Sequence, residues 1–402
     1  ARLRVTDLNF NKSLWNCILR FSQVLGLQSM QLLPIDDAPF GVLALGVDCA
    51  SIDKASIRAV RGALHFDQIV VFPDQGHLTP QQEVAFHRAL YPEGTSVWRD
   101  QRENPWERYK VDQGNKAGTY QIPSEPGVLV LGKGEIDHYG LKVMLGGDRA
   151  AYGGTSGSQV LGGGTMQWHI DGTFYDHAPG RYTQMRCIEA PAGKGHWLDY
   201  LGDGNPLWCP AGATAFASGR TAYNLMTDEV RERCLNTTVH YLPRPFETTF
   251  SLANTQNGLR VIDPESEARY ESGNETPGLA FTDPAAQVYP LVWTCPDTGR
   301  QALMAQPRCL GFLGTQQSAR PEYYGITASR RLVETWMLPA VSSDQVYIHA
   351  WQAGDLVIWH NRSVWHSATG QLAPEDRRVM RLTASHAREP PACIQDSGPA
   401  AL

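Results

Sequence analysis

Apolar residues near the N-terminus recur at helical spacing and then form a short continuous run. Ile57, Val60 and Leu64 lie three to four positions apart, which predicts the buried face of a helix. The run Ile69–Phe72 follows and predicts a buried strand. A second helix is predicted to start after Thr79, because a threonine N-cap followed by proline is a common helix start. We therefore expect a helix–strand–helix unit.

From about residue 127 the pattern changes to short apolar or alternating segments separated by glycine and turn residues. Strands are predicted at residues 127–131, 141–145, 166–171, 182–189, 214–218, 356–359 and 378–384, a hairpin at 289–293 and 301–304 with its turn at 297–300, and a helix at 329–337. The 38 glycines and 26 prolines suit many short strands better than a helical bundle. We expect a mainly β fold with flanking helices, a double-stranded β-helix (jelly roll) with insertions.

The same pattern suggests how the chain is organised. We expect a single domain over residues 1–402, with an N-terminal extension at 1–50 and a jelly-roll core at about 120–385. Residues 251–287 are polar and poor in large apolar side chains, which predicts an excursion or lid rather than core.

Composition excludes several classes of function. The net charge is −6 without a basic stripe, which argues against nucleic-acid binding, and the apolar runs are too short to span a membrane. Eight scattered cysteines without a C-x-x-C pair predict reduced thiols and a cytoplasmic protein. The chain begins with Ala1 rather than methionine, so an N-terminal piece can be missing and targeting is not judged. We expect a small-molecule substrate, and the sequence allows a homodimer.

Three residues have the chemistry of a non-haem iron site, which needs two imidazoles and one carboxylate on one face of the ion. His169 and Asp171 lie two positions apart in a predicted strand, so their side chains point to the same side. His366 is the candidate third ligand from a distant strand.

A second His-x-Asp pair, His65 and Asp67, shows that this spacing alone is weak evidence. That pair falls at the end of a predicted helix, where the two side chains need not share a face. We therefore favour His169 and Asp171 as the ligand pair.

A 2-oxo acid co-substrate that chelates the metal also needs a cation for its distal carboxylate, and arginine pairs with a carboxylate through two parallel hydrogen bonds. Arg381 lies 15 residues after His366, far enough for a turn and a return strand, and Arg377 lies 11 residues after it. The alternative for either residue is a solvated surface arginine.

Several separate segments, in order, resemble the TauD/TfdA family of Fe(II)/2-oxoglutarate dioxygenases. They cover roughly residues 55–385: the helix–strand–helix at 57–86, WHIDGTFY at 168–175, PAGATAFAS at 210–218, YPLVWTCPDTGRQALM at 289–304, WQAGDLVIWHNRSVWHSA at 351–368 and DRRVMRLT at 376–383. His360 stands where the family usually has aspartate, and Tyr289 and Thr294 stand where histidines are common.

The resemblance implies Fe(II) bound by His169, Asp171 and His366, with 2-oxoglutarate and O2 as co-substrates. It also implies that Thr214 helps to hold 2-oxoglutarate, that Arg381 binds its distal carboxylate and that Arg377 supports the site. The extra segments 193–209 and 251–287 look more like the chiefly fungal branch that includes xanthine dioxygenase and secondary-metabolism tailoring enzymes. Lys142, for which a solvated lysine is the alternative, and Trp168 are the candidate substrate contacts.

The expected reaction couples oxidative decarboxylation of 2-oxoglutarate to succinate with hydroxylation, desaturation or cyclisation of a small polar substrate, either an amino-acid-derived secondary metabolite or a purine. One alternative is a cupin-like metal-dependent isomerase or lyase without 2-oxoglutarate, which Thr214 and Arg381 argue against. Another is a catalytically silent binding protein on the same scaffold, which the complete ligand set argues against.

Overall fold

The computed structural model describes most of the chain between residues 30 and 394. The described residues are 30–96, 119–146, 168–172, 178–243, 245–249, 252–279, 281–283, 285–315, 322–370, 372–373 and 375–394. Residues 166 and 167, the start of one predicted strand, lie outside these ranges.

The N-terminal unit forms as its pattern predicts. Helix α1 (Lys54–Phe66) is capped by the Asp53 carboxylate, which accepts hydrogen bonds from the backbone amides of Ala55 and Ser56. Strand β3 (Ile69–Phe72) follows, and helix α2 (Pro80–Leu90) begins with a capping box between Thr79 and Gln82. The prediction of a helix–strand–helix unit is confirmed.

Within the described ranges, ten strands form the main sheet, which is one layer of the fold. Besides β3, its strands are β1 (Gln31–Pro34), β2 (Val42–Leu45), β4 (Thr95–Ser96), β5 (Thr119–Ile122), β6 (Glu125–His138), β7 (Leu141–Gly146), β8 (Tyr182–Glu189), β21 (Leu356–His360) and β23 (Arg378–His386). The strand order is β1-β2-β3-β21-β8-β23-β6-β5, with β7 beside β6 and β4 beside β23. Because β1 and β2 belong to this sheet, the described part of the expected N-terminal extension is part of the core.

A smaller sheet faces the main sheet. Its order is β20 (Val346–His349), β11 (Thr214–Ser218) and β22 (Val364–Ala368), all antiparallel. A buried apolar cluster fills the space between the sheets, with Met185, Trp359 and Met380 on one side and Phe216 and Tyr347 on the other. The interior faces of both sheets therefore line a common space.

Two further layers cover the outer faces. Helices α1 and α2 pack on the outer face of the main sheet around Leu64, Phe72 and Phe86. Ala215, Ala217 and Trp365 on the outer face of the small sheet contribute to a larger apolar cluster, which we call the outer cluster. The elements around that cluster are β9 (His196–Leu198), β10 (Leu207–Cys209), α3 (Gly219–Asn224), α4 (Asp228–Leu235), β12 (Thr237–Tyr241), α5 (Pro245–Thr249), β13 (Ala253–Asn254), β14 (Val261–Ile262), α6 (Pro264–Glu271), β15 (Val288–Pro290), β16 (Val292–Thr294), β17 (Gln301–Leu303), β18 (Leu310–Thr315), β19 (Glu322–Tyr323) and α7 (Ile326–Met337), with 3-10 turns at Pro307–Cys309 and Leu338–Val341.

The remaining segment predictions can be compared directly with these elements. The strands at 182–189 and 214–218 have the predicted bounds, the hairpin is β16–β17, and α7 begins three residues earlier than predicted. The cysteines in the described ranges form no disulfide, as their spacing predicts. Among the described helices, none has the length and apolar character needed to cross a bilayer.

Candidate active site

A short ligand strand, residues 168–171, places two polar side chains on one side. Trp168 and Ile170 are fully buried in the outer cluster. Because side chains alternate along a strand, those of His169 and Asp171 point the opposite way. His169 pairs with His366 of β22 through two backbone hydrogen bonds, each 3.0 Å long. This pairing brings together residues almost two hundred positions apart in the sequence.

The three predicted metal ligands converge. Ligand atoms of His169, Asp171 and His366 all lie within 4.8 Å of one another, and the two imidazole centroids are 4.0 Å apart. Nε2 of His366 lies 3.9 Å from Oδ2 of Asp171, too far for a direct hydrogen bond. These separations can be spanned by one ion.

The protonation states suit a metal site. Burial, with the nearby His169, holds the pKa of His366 well below its usual range, so its imidazole is neutral and keeps a free lone pair. Withdrawal from water raises the pKa of Asp171, while His169 and a hydrogen bond from Thr183 lower it. The Thr183 hydroxyl donates to Oδ2 of Asp171 at 2.9 Å and fixes the orientation of the carboxylate. Two imidazoles and one carboxylate fit the ligand set of a non-haem Fe(II) centre.

The other His-x-Asp pair does not form such a site. His65 lies in the last turn of α1 and Asp67 is its C-cap residue. Nε2 of His65 is hydrogen-bonded to the hydroxyl of Tyr182. The preference for His169 and Asp171 agrees with the geometry.

Three distant segments hold the ligand strand. The Trp168 amide donates to the carbonyl of Gly258 at 3.0 Å, and His169 pairs with His366. The side-chain amide of Gln306 is hydrogen-bonded to the backbone N–H and C=O of Ile170, and that of Asn361 to the backbone N–H and C=O of Asp171. No sequence pattern indicated Thr183 or Gln306, whereas Asn361 lies within the matched segment at 351–368.

Arg381, predicted to bind the distal carboxylate of 2-oxoglutarate, lies on the opposite face of the main sheet from this site. It is paired across the sheet with Arg186, on the face covered by α2, where both guanidinium groups contact the buried carboxylate of Glu83. Its Nε donates to His138, whose pKa burial and the Arg381 charge lower to about 4. Arg381 thus helps to pack α2 against the main sheet.

Arg378 occupies the interior face instead. Ala384 of β23 pairs across the sheet with Thr183, whose hydroxyl contacts Asp171. The side chains of Ala384 and Thr183 therefore lie on the interior face. Alternation along the strand then places Met380 and Arg378 on that face as well. Arg378 is 6% exposed, and its Nε donates to the carbonyl of Gly212, at the start of β11, at 3.0 Å.

Thr214 lies on the interior face of β11, as the co-substrate assignment requires. It is buried and shares that face with Phe216, which pairs with His366. Its hydroxyl oxygen accepts a hydrogen bond from the indole of Trp351 at 2.9 Å, which leaves the hydroxyl proton available to an acceptor in the interior.

Three other residues that were predicted to support the site or to contact substrate have their described partners elsewhere. Arg377 is 45% exposed and pairs with Glu189 on the surface, because it precedes Arg378 and points to the other face. Lys142 is 75% exposed on the edge strand β7 and pairs with Asp137. Trp168 packs against Tyr200 in the outer cluster, opposite to His169. None of these three side chains contacts the His169–Asp171–His366 group.

Comparisons with known proteins show what the whole chain is similar to. Residues 32–383 match the family described as "Taurine catabolism dioxygenase TauD, TfdA family". The alpha-ketoglutarate-dependent xanthine dioxygenase xan1 of Schizosaccharomyces pombe is 28% identical over 381 residues, covering 91% of this chain and 89% of its own. The alpha-ketoglutarate-dependent dioxygenase bsc9 of Alternaria brassicicola is 28% identical over 348 residues, covering 82% and 85%.

Solved structures share the fold at lower identity. A taurine dioxygenase from Burkholderia xenovorans aligns with a TM-score of 0.53 at 18% identity, covering 89% of this chain and 90% of its own. AAD-2 in complex with Mn(II) and N-oxalylglycine aligns with a TM-score of 0.53 at 16% identity, covering 90% and 99%. The family match spans most of the chain, and the chain belongs to the TauD/TfdA dioxygenase family.

Proposed function

We propose that His169, Asp171 and His366 hold the Fe(II) of this 2-oxoglutarate-dependent dioxygenase. The observation that carries the proposal is the convergence of these three side chains within 4.8 Å at the interior face of the small sheet. When bound, Fe(II) supplies the activation of O2 that couples oxidative decarboxylation of 2-oxoglutarate to oxidation of a substrate C–H bond.

Arg378 and Thr214 are the residues that bind 2-oxoglutarate in this proposal. Both are buried on interior faces. The Arg378 guanidinium lies near the start of β11, because its Nε donates a hydrogen bond to the carbonyl of Gly212. A guanidinium pairs with a carboxylate without losing its charge, and the Thr214 hydroxyl donates a further hydrogen bond.

The aromatic side chains around His366 keep water away from this space. The rings of Trp359 and Phe216 lie 4.8 and 6.3 Å from the His366 imidazole, and both are fully buried. In a site that excludes water, the charges of the ligands and of Arg378 act more strongly on the co-substrate. These residues orient the co-substrate and exclude water from its site, and the metal supplies the redox chemistry.

We assign the two facing sheets to a double-stranded β-helix within a single dioxygenase domain. The facing interior surfaces and the likeness to the taurine dioxygenase structure support this assignment. A cytoplasmic location and a homodimer stay predictions.

The substrate is a small polar molecule, and purines are the first class to test. Three fungal relatives that cover 85 to 91% of this chain are xanthine dioxygenases, which supports a planar nitrogen heterocycle. Amino-acid-derived metabolites are the second class. Oxidation gives a hydroxylated, desaturated or cyclised product according to which C–H bond lies near the metal.

Succinate release tests the function. Purified protein with Fe(II), ascorbate and 2-oxoglutarate should form succinate faster when xanthine or another true substrate is added, and Asp171→Ala should lose this stimulation. Under anaerobic conditions the same substrate should perturb the visible charge-transfer band of the Fe(II)/2-oxoglutarate complex. A substrate converted at an undiminished rate without 2-oxoglutarate would instead indicate an isomerase or lyase.

A further inference from the structure

The ligand strand has little conventional sheet support. Within the described residues its only strand pairing is the single bridge between His169 and His366. Gly172 then has a φ of +94°, a conformation that favours glycine, and ends the extended segment. The peptide groups of Ile170 and Asp171 therefore need partners other than a strand.

Gln306 supplies both partners for Ile170. Its Oε1 accepts from the Ile170 amide at 3.2 Å, and its Nε2 donates to the Ile170 carbonyl at 3.1 Å. Gln306 is 2% exposed and Ile170 is fully buried, so bulk water cannot replace these bonds. One side chain thus acts as a neighbouring strand would.

Asn361 does the same for Asp171. Its Oδ1 accepts from the Asp171 amide at 3.0 Å, and its Nδ2 donates to the Asp171 carbonyl at 2.9 Å and to that of Gly180 at 3.2 Å. It is 1% exposed. Only a carboxamide offers a donor and an acceptor side by side at neutral pH, so neither residue can be replaced by an acid or an aliphatic side chain without loss.

We propose that Gln306 and Asn361 are positioning residues that preset the metal-ligating side chains by fixing three successive peptide planes of the ligand strand, from the His169–Ile170 peptide to the Asp171–Gly172 peptide. The proposal rests on the proposed role of His169 and Asp171 as metal ligands. Groups behind the ligands commonly change metal affinity 10- to 100-fold in metalloproteins, because they decide how far the ligands are already arranged before the ion arrives.

The test measures metal affinity alongside stability. Gln306→Met and Asn361→Leu remove the hydrogen bonds while largely keeping volume. Gln75→Met is the matched control, because Gln75 is also a buried amide, bonded to the backbone of Cys49, Val47 and Pro73 away from the ligand strand. All three variants should unfold at lower temperature. Only the first two should bind Co(II) about 10- to 100-fold more weakly at a temperature where all are folded, with altered visible absorption bands.

Two further variants separate the possible outcomes. Asp171→Ala, titrated in parallel, should lose Co(II) binding, and undiminished affinity there would overturn the metal assignment itself. If Asp171→Ala loses binding while Gln306→Met and Asn361→Leu bind as tightly as Gln75→Met, the positioning role is wrong. Should either apolar variant fail to fold, Gln306→Glu and Asn361→Asp keep the acceptor and lose the donor. Weakened Co(II) binding by these folded variants supports the proposal, and unchanged binding overturns it.

Discussion

Arg378 and Arg381 are three residues apart on one strand, yet their side chains lie on opposite faces of the main sheet. Arg381 neutralises Glu83 beneath α2, whereas Arg378 reaches across the interior to Gly212. Two residues of the same type and nearly the same sequence position therefore have different expected roles.

Substitution of each arginine should separate these roles. We expect Arg378→Met to raise the KM for 2-oxoglutarate about 100-fold, because a charge-assisted pairing with the distal carboxylate is lost. Arg381→Met should leave that KM within about twofold and lower the midpoint of thermal unfolding instead. Steady-state kinetics with varied 2-oxoglutarate, together with melting curves, measure both effects. The reverse pattern would restore Arg381 as the co-substrate residue.

At this scale the sequence identifies residue types better than the faces to which they point. The grouping of His169, Asp171 and His366 could be predicted, because His169 and Asp171 have the spacing of same-side residues on a strand and His366 lies in the matched segment at 351–368. The choice among Arg377, Arg378 and Arg381 could not, because a shift of one position moves a side chain to the other face of a strand. The register irregularity between Val379 and Met380 is not visible in the sequence.

Among the elements, α2 is tied to the main sheet by charge as well as by apolar contacts. The Glu83 carboxylate is 1% exposed and lies between the guanidinium groups of Arg186 and Arg381, themselves 3% and 2% exposed. Arg186 also donates to the carbonyls of Gln75, Gly76 and Leu78. Loss of the carboxylate would leave two buried cations without their anion.

Glu83→Gln should therefore lower the free energy of unfolding by about 3–5 kcal/mol, the usual consequence of removing one partner of a buried ion pair. Glu93→Gln is the control, since Glu93 is an exposed partner of Arg61 and should change stability by less than about 1 kcal/mol. Urea denaturation at neutral pH measures both. Equal effects would show that the buried cluster adds nothing beyond a surface pair.

The start of α2 offers a second test. The Thr79 hydroxyl accepts from the Gln82 amide while the Gln82 side chain accepts from the Thr79 amide. Thr79→Ala should lower the free energy of unfolding by about 1 kcal/mol. Thr335→Ala, on the exposed face of α7, should be close to neutral because Thr335 caps no helix end. A calorimetric melt compares the two.

Helices with clear caps and strands with clear periodicity were the elements that could be predicted. The chain from Ile57 to Leu90 shows this, since capping and spacing are local properties. The pairing of β21 with both β3 and β8 could not be predicted, because strand order depends on contacts between distant segments. The ligand strand was visible as a pattern, but its support by side-chain amides was not.

For the whole molecule, bound metal should stabilise the folded state. Mn(II) at about 100 times its Kd should raise the free energy of unfolding by about 2.7 kcal/mol, because it binds the folded state only. Asp171→Ala should melt at the same temperature with and without Mn(II). His65→Ala should keep the Mn(II)-dependent increase, because its His-x-Asp pair lies on α1. Thermal melts with and without Mn(II) decide between the two pairs.

The ligand strand receives its support from Gly258, Gln306, Asn361 and His366, so its final geometry depends on nearly two hundred residues that are translated after it. A ribosome-bound nascent chain that has just exposed His169 and Asp171 cannot yet hold them in place. Iron loading should accordingly be a late, post-translational event. Truncated products that end before residue 366 should therefore bind no iron in the cell.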